Sequence, residues 1–156
     1  MQDLQKFKVP DNFRGKSKII IQLWWIIQAT LFRASPQVLY GWRRFLLRCF
    51  GAEIGKGVII RPSTQITYPW KVTIGDYSWI GDDVVLYSLG EIIIGKNTVI
   101  SQKSYICTGT HDYSKIDFPI LAKKIVIGDE CWLATDVFVS PGVTINKGVV
   151  VGARST

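Results

Sequence analysis

The stretch IVIGDECWLATDVFVSPGVTINKGVVVGA, residues 125–153, carries a branched aliphatic residue at every sixth position from Ile127 onward. Glycine or another small or polar residue follows each one, and a small or β-branched residue stands four positions after it. A sandwich or barrel would place its turns at irregular intervals, so this period indicates a repeat architecture. The spacing starts at Ile54 and covers 14 positions: Ile54, Ile60, Ile66, Ile74, Ile80, Leu86, Ile94, Ile100, Ile106, Ile127, Leu133, Val139, Ile145 and Val151.

The period of six has a direct structural meaning. Positions i+4 and i+6 share one face of an extended strand, and that face is apolar here. Three short strands and three turns close a coil of about 18 residues, and such coils stack into a parallel β-helix. Two residues are added between Ile66 and Ile74, and again between Leu86 and Ile94, which predicts that one corner is widened in successive coils. We therefore predict a mainly β chain, with a β-helix over residues 51–156.

Residues 1–50 form a basic, apolar segment without repeating turns, and we predict one or two helices there. One interpretation is a helical cap over the end of the β-helix, with its basic residues in solvent. Another is an interfacial segment, residues 16–48, that lies on an anionic membrane surface. The two interpretations are compatible. The apolar run over residues 19–32 is shorter than the roughly 20 residues needed to span a bilayer.

The net charge of +7 suits an anionic partner such as a phosphorylated cofactor or a membrane surface. Nucleic acid is disfavoured, because the basic residues lie mostly on the helical lead and in no known binding motif. The three cysteines lack CxxC spacing, and no cleavable signal peptide is evident, which predicts reduced thiols in a cytoplasmic protein. One histidine cannot supply the three imidazoles of a zinc carbonic anhydrase, and no metal is expected.

The repeat is interrupted after Ile106 by CTGTHDYSKIDFP, residues 107–119, which contains the only histidine, His111. The next aliphatic position is Ile127 instead of a residue near 114, so about 13 residues leave the coil as an external loop over residues 107–124. Long loops on rigid scaffolds often carry function. His111 stands where the coil ends and the loop begins, so it is a candidate base, with a structural role as the alternative.

GTHDYS with Phe118 and Pro119, followed by residues 125–153, resembles the hexapeptide-repeat O-acetyltransferases of the maltose, galactoside and nodulation type. With the basic lead, FGAEIGKGVIIRPS and ITYPWKVTIGDYSWIGDDV, the chain is most similar to the colanic acid biosynthesis acetyltransferases of the WcaF type. The resemblance extends over nearly the whole chain from about residue 12. It implies a left-handed β-helix that transfers acetyl from acetyl-CoA directly to a sugar hydroxyl of an exopolysaccharide precursor.

The resemblance also implies roles for individual residues. His111 would act as the general base that takes the proton of the sugar hydroxyl. Backbone N–H groups after Trp132 would donate to the tetrahedral oxyanion, near Ala134 and Thr135. Beside His111, Asp112 is a candidate either to orient the imidazole or to bind acceptor hydroxyls. The aromatic candidates for a sugar platform are Tyr113, Tyr87, Trp70 and Trp79. The implied contacts with acetyl-CoA are Trp132, Ala134, Thr135, Lys147, Ala153 and Arg154.

A homotrimer with sites between subunits, a saccharide acceptor and a cytoplasmic location are further implications of the resemblance. A lipid-linked acceptor would add peripheral contact with the inner face of the cytoplasmic membrane. Relatives of this type usually continue beyond the position of Thr156, so the sequence is also predicted to be truncated within a coil. Two alternatives remain. One is a β-helix that binds or acts as a scaffold without catalysis; the other is an acetyltransferase for a free saccharide or sugar amine.

Overall fold

The hexapeptide repeat winds into three parallel sheets that form the sides of a triangular prism. The computed structural model describes residues 2–156. Sheet A contains Glu53–Ile54, Val72–Ile74, Ile92–Ile94, Ile125–Ile127 and Thr144–Ile145. Sheet B contains Ile59–Ile60, Trp79–Ile80, Val99–Ile100, Trp132–Leu133 and Val150–Val151. Sheet C contains Gln65–Ile66, Val85–Tyr87, Tyr105–Cys107 and Phe138–Val139.

Each coil visits sheets A, B and C in turn, and its strands pair in parallel with the same strands of the next coil. In sheet A, for example, Ile54 pairs with Ile74, Ile74 with Ile94 and Ile94 with Ile127. The predicted left-handed parallel β-helix with an N-terminal helical segment is therefore confirmed. The corners between the sheets are named A–B, B–C and C–A below.

The predicted aliphatic positions fill the prism. All of them are buried except Ile145 and Val151 in the last coil, which are half-buried. Small hydroxyl residues share the interior because they fit beside the aliphatic row and donate to carbonyls of the following coil. Ser78 Oγ lies 2.6 Å from Gly95 O, and Thr98 Oγ1 lies 2.7 Å from Gly128 O. The period thus encodes both the apolar core and its satisfied polar groups.

The C–A corner is enlarged in three successive coils. A 3₁₀ turn, Pro69–Lys71, occupies it in the first coil. In the third coil an antiparallel hairpin of Gly109–His111 and Ile120–Ala122 projects from it. At this widened corner the buried residue before Ile74 is Val72, and Trp70 does not lie on the inward row.

The N-terminal helices lie against the first coil. Helix α1 is Lys18–Ile27, a π-helical stretch Gln28–Phe32 continues it, helix α2 is Tyr40–Cys49, and a short 3₁₀ turn is Leu4–Lys6. Among residues 2–156, none of the helices combines the length and apolar character required to cross a membrane.

Helix α2 covers the exposed backbone edge of the first coil. Carbonyls on the open side of this coil point away from the second coil and would otherwise lack partners. Arginines of α2 donate to them: Arg43 Nε to Ile60 O (2.7 Å), Arg44 Nη1 to Val58 O (2.7 Å) and Arg48 Nε to Ile54 O (3.0 Å). Arg43 is fully buried. The expectation that the basic residues of the cap lie in solvent is therefore wrong for Arg43, whereas Arg33 and Arg48 are exposed.

Candidate functional site

His111 lies on a hairpin whose base is fixed to the β-helix. It ends the first hairpin strand and pairs with Ile120 of the second. Thr108, just before the hairpin, is buried; its hydroxyl donates to Tyr87 O (2.6 Å), and its carbonyl accepts from Lys123 N (2.8 Å). The imidazole is thus presented by a loop anchored on both of its arms.

The His111 ring is held by Phe118, seven residues further along the chain. Nδ1 lies 3.0 Å from the Phe118 carbonyl oxygen, and the two rings stack at 4.2 Å with an interplanar angle of 8°. Phe7 approaches the same imidazole, with 6.0 Å between ring centroids. A carbonyl only accepts, so Nδ1 carries the proton of the neutral ring and Nε2 has a free lone pair. This tautomer is the one that a base acting through Nε2 requires.

Phe118 adopts a backbone conformation that is unusual for a side chain of its size. Its φ is +46°, in the left-handed region that phenylalanine rarely adopts. This conformation directs both the carbonyl and the ring of Phe118 onto His111, and strain of this kind concentrates at functional sites. Sequence reasoning noted Phe118 only as part of a motif and missed this contact. Only the Phe-Pro pair at a fixed distance from the histidine could have pointed to it.

Asp112 and Tyr113 follow His111 at the turn of the hairpin. The Asp112 carboxylate accepts from Ser114 Oγ (2.5 Å) and Ser114 N (3.1 Å), and these bonds lower the pKa of Asp112 below its ordinary value. The carboxylate is therefore engaged with Ser114, whereas the His111 ring nitrogen is held by Phe118. Tyr113 is 83% exposed, so its ring is available to a ligand.

Two other residues predicted to contact the acceptor lie in different places. Tyr87 stands at the base of the hairpin, where a Cβ on Gly109 would come within 2.9 Å of Tyr87 Cε1. Trp79 points outward from sheet B and is about half exposed. Within one chain the structure thus brings Tyr87, but not Trp79, beside the His111 hairpin.

Among the described residues, the B–C corner presents one backbone N–H group without an acceptor in each coil after the first, namely those of Asp82, Gln102, Thr135 and Ala153. Ala134 N donates to Val151 O (3.0 Å), so this predicted oxyanion donor is already used by the coil. Thr135 N and Ala153 N have no acceptor within residues 2–156. Each precedes a residue at φ near +60°, as in a type II turn. Their N–H groups lie about one coil spacing, 4.8 Å, apart.

The charged and aromatic residues predicted for acetyl-CoA are only partly together. Arg154 shares the B–C corner with Thr135 and Ala153, and its Nε lies 3.5 Å from Asp136 Oδ2. Lys147 is at the A–B corner, where its Nζ lies 3.2 Å from Glu130 Oε1. Trp132 projects from sheet B and donates from Nε1 to Ser101 Oγ (3.0 Å). The B–C corner is therefore the one that collects donors for an extended ligand.

The base and the unpaired N–H groups are separated within a single chain. His111 projects from the C–A corner, Thr135 lies at the B–C corner, and sheet C stands between them. An outward-facing apolar row crosses sheet B. Its members pair in register and are Ile59, Trp79, Val99, Trp132 and Val150. No group of three or more potential metal ligands occurs within the part of the chain that the structure describes.

Two solved structures share this fold. A hexapeptide-repeat acetyltransferase from Vibrio cholerae, complexed with acetyl coenzyme A, matches with a TM-score of 0.80 at 22% identity, over 99% of this chain and 86% of that one. A galactoside acetyltransferase in complex with coenzyme A matches with a TM-score of 0.81 at 19% identity, over 94% of this chain and 72% of that one. At such identities the likeness establishes the coil architecture only.

The repeat and the coil define a protein of the hexapeptide-repeat β-helix class. No protein-family model matches the chain. Colanic acid biosynthesis acetyltransferase WcaF of Escherichia coli (strain K12) is 67% identical over 156 residues, which are 100% of this chain and 86% of that protein. The chain therefore belongs to the WcaF family of acetyltransferases, and the predicted resemblance is confirmed.

Proposed function

We propose that the chain transfers the acetyl group of acetyl-CoA to a hydroxyl of a saccharide, with His111 as general base. Membership of the WcaF family supports acetyl transfer. The observation that carries the proposal is the bond from His111 Nδ1 to Phe118 O, because it leaves Nε2 unprotonated and able to accept. An imidazole is the side chain best suited to take up and return a proton near neutral pH.

The reaction needs no covalent intermediate on the protein. Nε2 of His111 takes the hydroxyl proton while the oxygen attacks the thioester carbon, and a tetrahedral oxyanion forms. The C–S bond then breaks, and the proton passes from the imidazolium to the CoA thiolate. General-base help of this kind contributes about 10²- to 10⁴-fold in rate. The cysteines take no part in this scheme.

We assign the oxyanion contact to Thr135, because its N–H is unpaired whereas that of Ala134 donates to Val151 O. Ala153 N, one coil further on, suits an amide carbonyl of the pantetheine arm. Arg154 and Lys147 are exposed, and their contacts with carboxylates are weak in solvent, so both cations are able to bind CoA phosphates instead. Trp132 would then flank the bound CoA.

We further propose that the complete site forms between the subunits of a homotrimer. The base and the oxyanion donor lie on different corners of one chain, so a second copy has to bring its B–C corner to the His111 hairpin. The apolar row of sheet B offers a surface for such symmetric contact. Asp112, Tyr113 and Tyr87 would bind the saccharide from the hairpin side, and Trp79 from the neighbouring subunit.

The acceptor in this proposal is a sugar of an exopolysaccharide precursor of the colanic acid type, and the site of action is the cytoplasm. The name of the 67% identical relative supports this assignment. A free saccharide or a sugar amine is the alternative acceptor, and the panel of acceptors described next separates them.

The test is acetyl-CoA turnover, followed by thiol release, with nucleotide sugars, oligosaccharides and a sugar amine as acceptors. We expect His111→Ala to lower kcat by about 10²- to 10⁴-fold while acetyl-CoA binding is retained. Ile116→Ala is the matched control in the same hairpin and should stay within about threefold of the wild type, since its exposed side chain has no part in the proposed site. Wild-type turnover in His111→Ala would refute the proposed base. A wild-type protein that binds acetyl-CoA but transfers nothing to any acceptor would indicate a binding protein.

A further inference from the structure

The two N-terminal helices leave a large apolar surface uncovered. Helix α1 is apolar on both sides: Ile21 and Trp24 are buried against the coil, while Ile19, Leu23 and Ile26 point outward at helical spacing and are 80%, 48% and 60% exposed. A soluble chain rarely exposes a contiguous apolar area of more than a few hundred Å² without a partner for it.

The second helix extends the same surface. Trp42 Nε1 of α2 donates to Leu31 O (3.1 Å), in the π-helical stretch that follows α1. The rings of Trp42 and Phe45 stack with 5.8 Å between their centroids. We call the resulting surface the helical face. Its exposed apolar side chains are Ile19, Leu23, Ile26, Leu31, Val38, Leu39, Trp42 and Phe45.

Within the helical segment itself the charge has one sign, and the nearest carboxylate is that of Asp11, which lines the same cavity as Lys16 and Lys18. Between Asp11 and Glu53 there is no acidic residue, whereas seven arginines and lysines occur, a number equal to the net charge of +7 of the whole chain. Three of the seven belong to α2 and donate to carbonyls of the first coil. Lys16, Lys18 and Arg33 are exposed and form no ion pair within residues 2–156.

We infer that the helical face docks on an anionic lipid bilayer. Exposed apolar side chains with tryptophan, bordered by cations, are typical of a helix that lies in the plane of the headgroups. Bilayer lipids supply both the apolar phase for Leu23 and Ile26 and the negative charge for Lys16, Lys18 and Arg33. A second copy of the chain supplies no negative charge, since face-to-face packing would bring the cations of both copies together. This inference is independent of the proposed acetyl transfer.

Vesicle flotation tests the electrostatic part. We expect the protein to bind vesicles of phosphatidylcholine with 30% phosphatidylglycerol far more tightly than phosphatidylcholine alone, because each cation near an anionic surface contributes about fivefold in affinity. Lys16→Gln/Lys18→Gln/Arg33→Gln should therefore bind about 100-fold more weakly. The matched control removes the same charge from exposed corners of the coil, Lys56→Gln/Lys96→Gln/Lys103→Gln, and should bind as the wild type does. Equal losses in both triple variants would reduce the effect to net charge and overturn the inference.

The apolar part is tested with Leu23→Ser/Ile26→Ser, which should lose about tenfold in vesicle affinity for each side chain. Ile116→Ser, at an equally exposed position in the hairpin turn, is the control and should bind normally. Both variants are compared with the wild type by circular dichroism and by sedimentation without vesicles. A change in oligomeric state in Leu23→Ser/Ile26→Ser would assign the helical face to protein contact and refute docking on lipid. Acetylation of a soluble acceptor should be unaffected in all of these variants, so loss of docking and loss of catalysis are separately observed.

Discussion

Thr135→Pro removes one hydrogen-bond donor from the proposed oxyanion contact and leaves the fold almost intact. Proline has no backbone N–H, and the N–H of Thr135 has no acceptor within residues 2–156, so no backbone bond of the coil is lost. Thr135 precedes Asp136, whose φ is +60°, so it occupies the second position of a type II turn, which proline favours. The equivalent position in the first coil is already a proline, Pro62.

The expected change in stability is small because two effects oppose each other. The bond from Thr135 Oγ1 to Gln102 O (3.0 Å) is lost, at a cost of about 1 kcal/mol. A proline in a compatible turn restricts the unfolded chain and contributes about 0.4–1 kcal/mol in the other direction. The free energy of unfolding should therefore change by no more than about 1 kcal/mol.

The expected change in catalysis is large. Loss of one donor to a developing oxyanion lowers kcat by about 10²- to 10³-fold. Steady-state thiol release at saturating acetyl-CoA measures kcat, and thermal unfolding of the same samples measures stability. Thr135→Ala keeps the N–H and should retain kcat within about threefold. Gln102→Pro, which alters the same corner one coil earlier, should also retain it. A Thr135→Pro protein with a native melting temperature and wild-type kcat would refute the oxyanion assignment.

Three further predictions follow from the contacts of Phe118, Arg43 and sheet B. Phe118→Gly keeps the carbonyl acceptor of His111, relieves the strain of the positive φ and removes the stacked ring. We expect kcat to fall about tenfold or more while KM for acetyl-CoA is unchanged. An unchanged kcat would contradict the positioning role of Phe118. Arg43→Met leaves the Ile60 carbonyl without its donor and should lower the free energy of unfolding, measured by urea titration, by about 3 kcal/mol. The control Arg33→Met, at an exposed position, should change it by less than about 0.5 kcal/mol. Val99→Glu places a charge between two outward tryptophans and should convert the proposed trimer to monomer in sedimentation at micromolar concentration; a trimer that persists would place the subunit contact elsewhere.

The β-helix was predictable because its determinants are local and repeat. Ile54, Ile74 and Ile94 occupy the same place in successive coils, and a period of six with turn residues leaves few alternative folds. The break after Ile106 was visible for the same reason, since only a departure from a regular pattern reveals an added loop. The pattern did not show which residue faces inward at the widened corner, where it is Val72 and not Trp70, because the spacing alone does not show on which side of a turn the extra residues lie.

Contacts between distant segments were beyond the reach of the pattern. Arg43 and Ile60 are joined through the fold of the cap over the first coil, and the sequence showed only a basic residue in an apolar run. The partner of His111 was missed for a related reason. Every residue has a backbone carbonyl, so the residue type does not show that the Phe118 carbonyl accepts from His111. The positive φ of Phe118 is set by the hairpin around it. The sequence predicted oxyanion donors near Ala134 and Thr135 without distinguishing between them. The structure distinguishes them, because Ala134 N donates to Val151 O of the next coil and Thr135 N does not.

The helical face and the proposed base are joined by one segment of chain, which links the two proposals geometrically. Asp3 N donates to Ile116 O (2.8 Å) at the hairpin, and Lys71 Nζ donates to Phe13 O (2.6 Å) before α1 begins at Lys18. The hairpin leaves the third coil, whereas Ile21 of α1 packs with Tyr68 and Leu89 at the same corner of the first and second coils. Successive coils are about 4.8 Å apart, so a lipid-linked acceptor held at the helical face has to extend along this corner by one to two coil spacings before its hydroxyl meets His111.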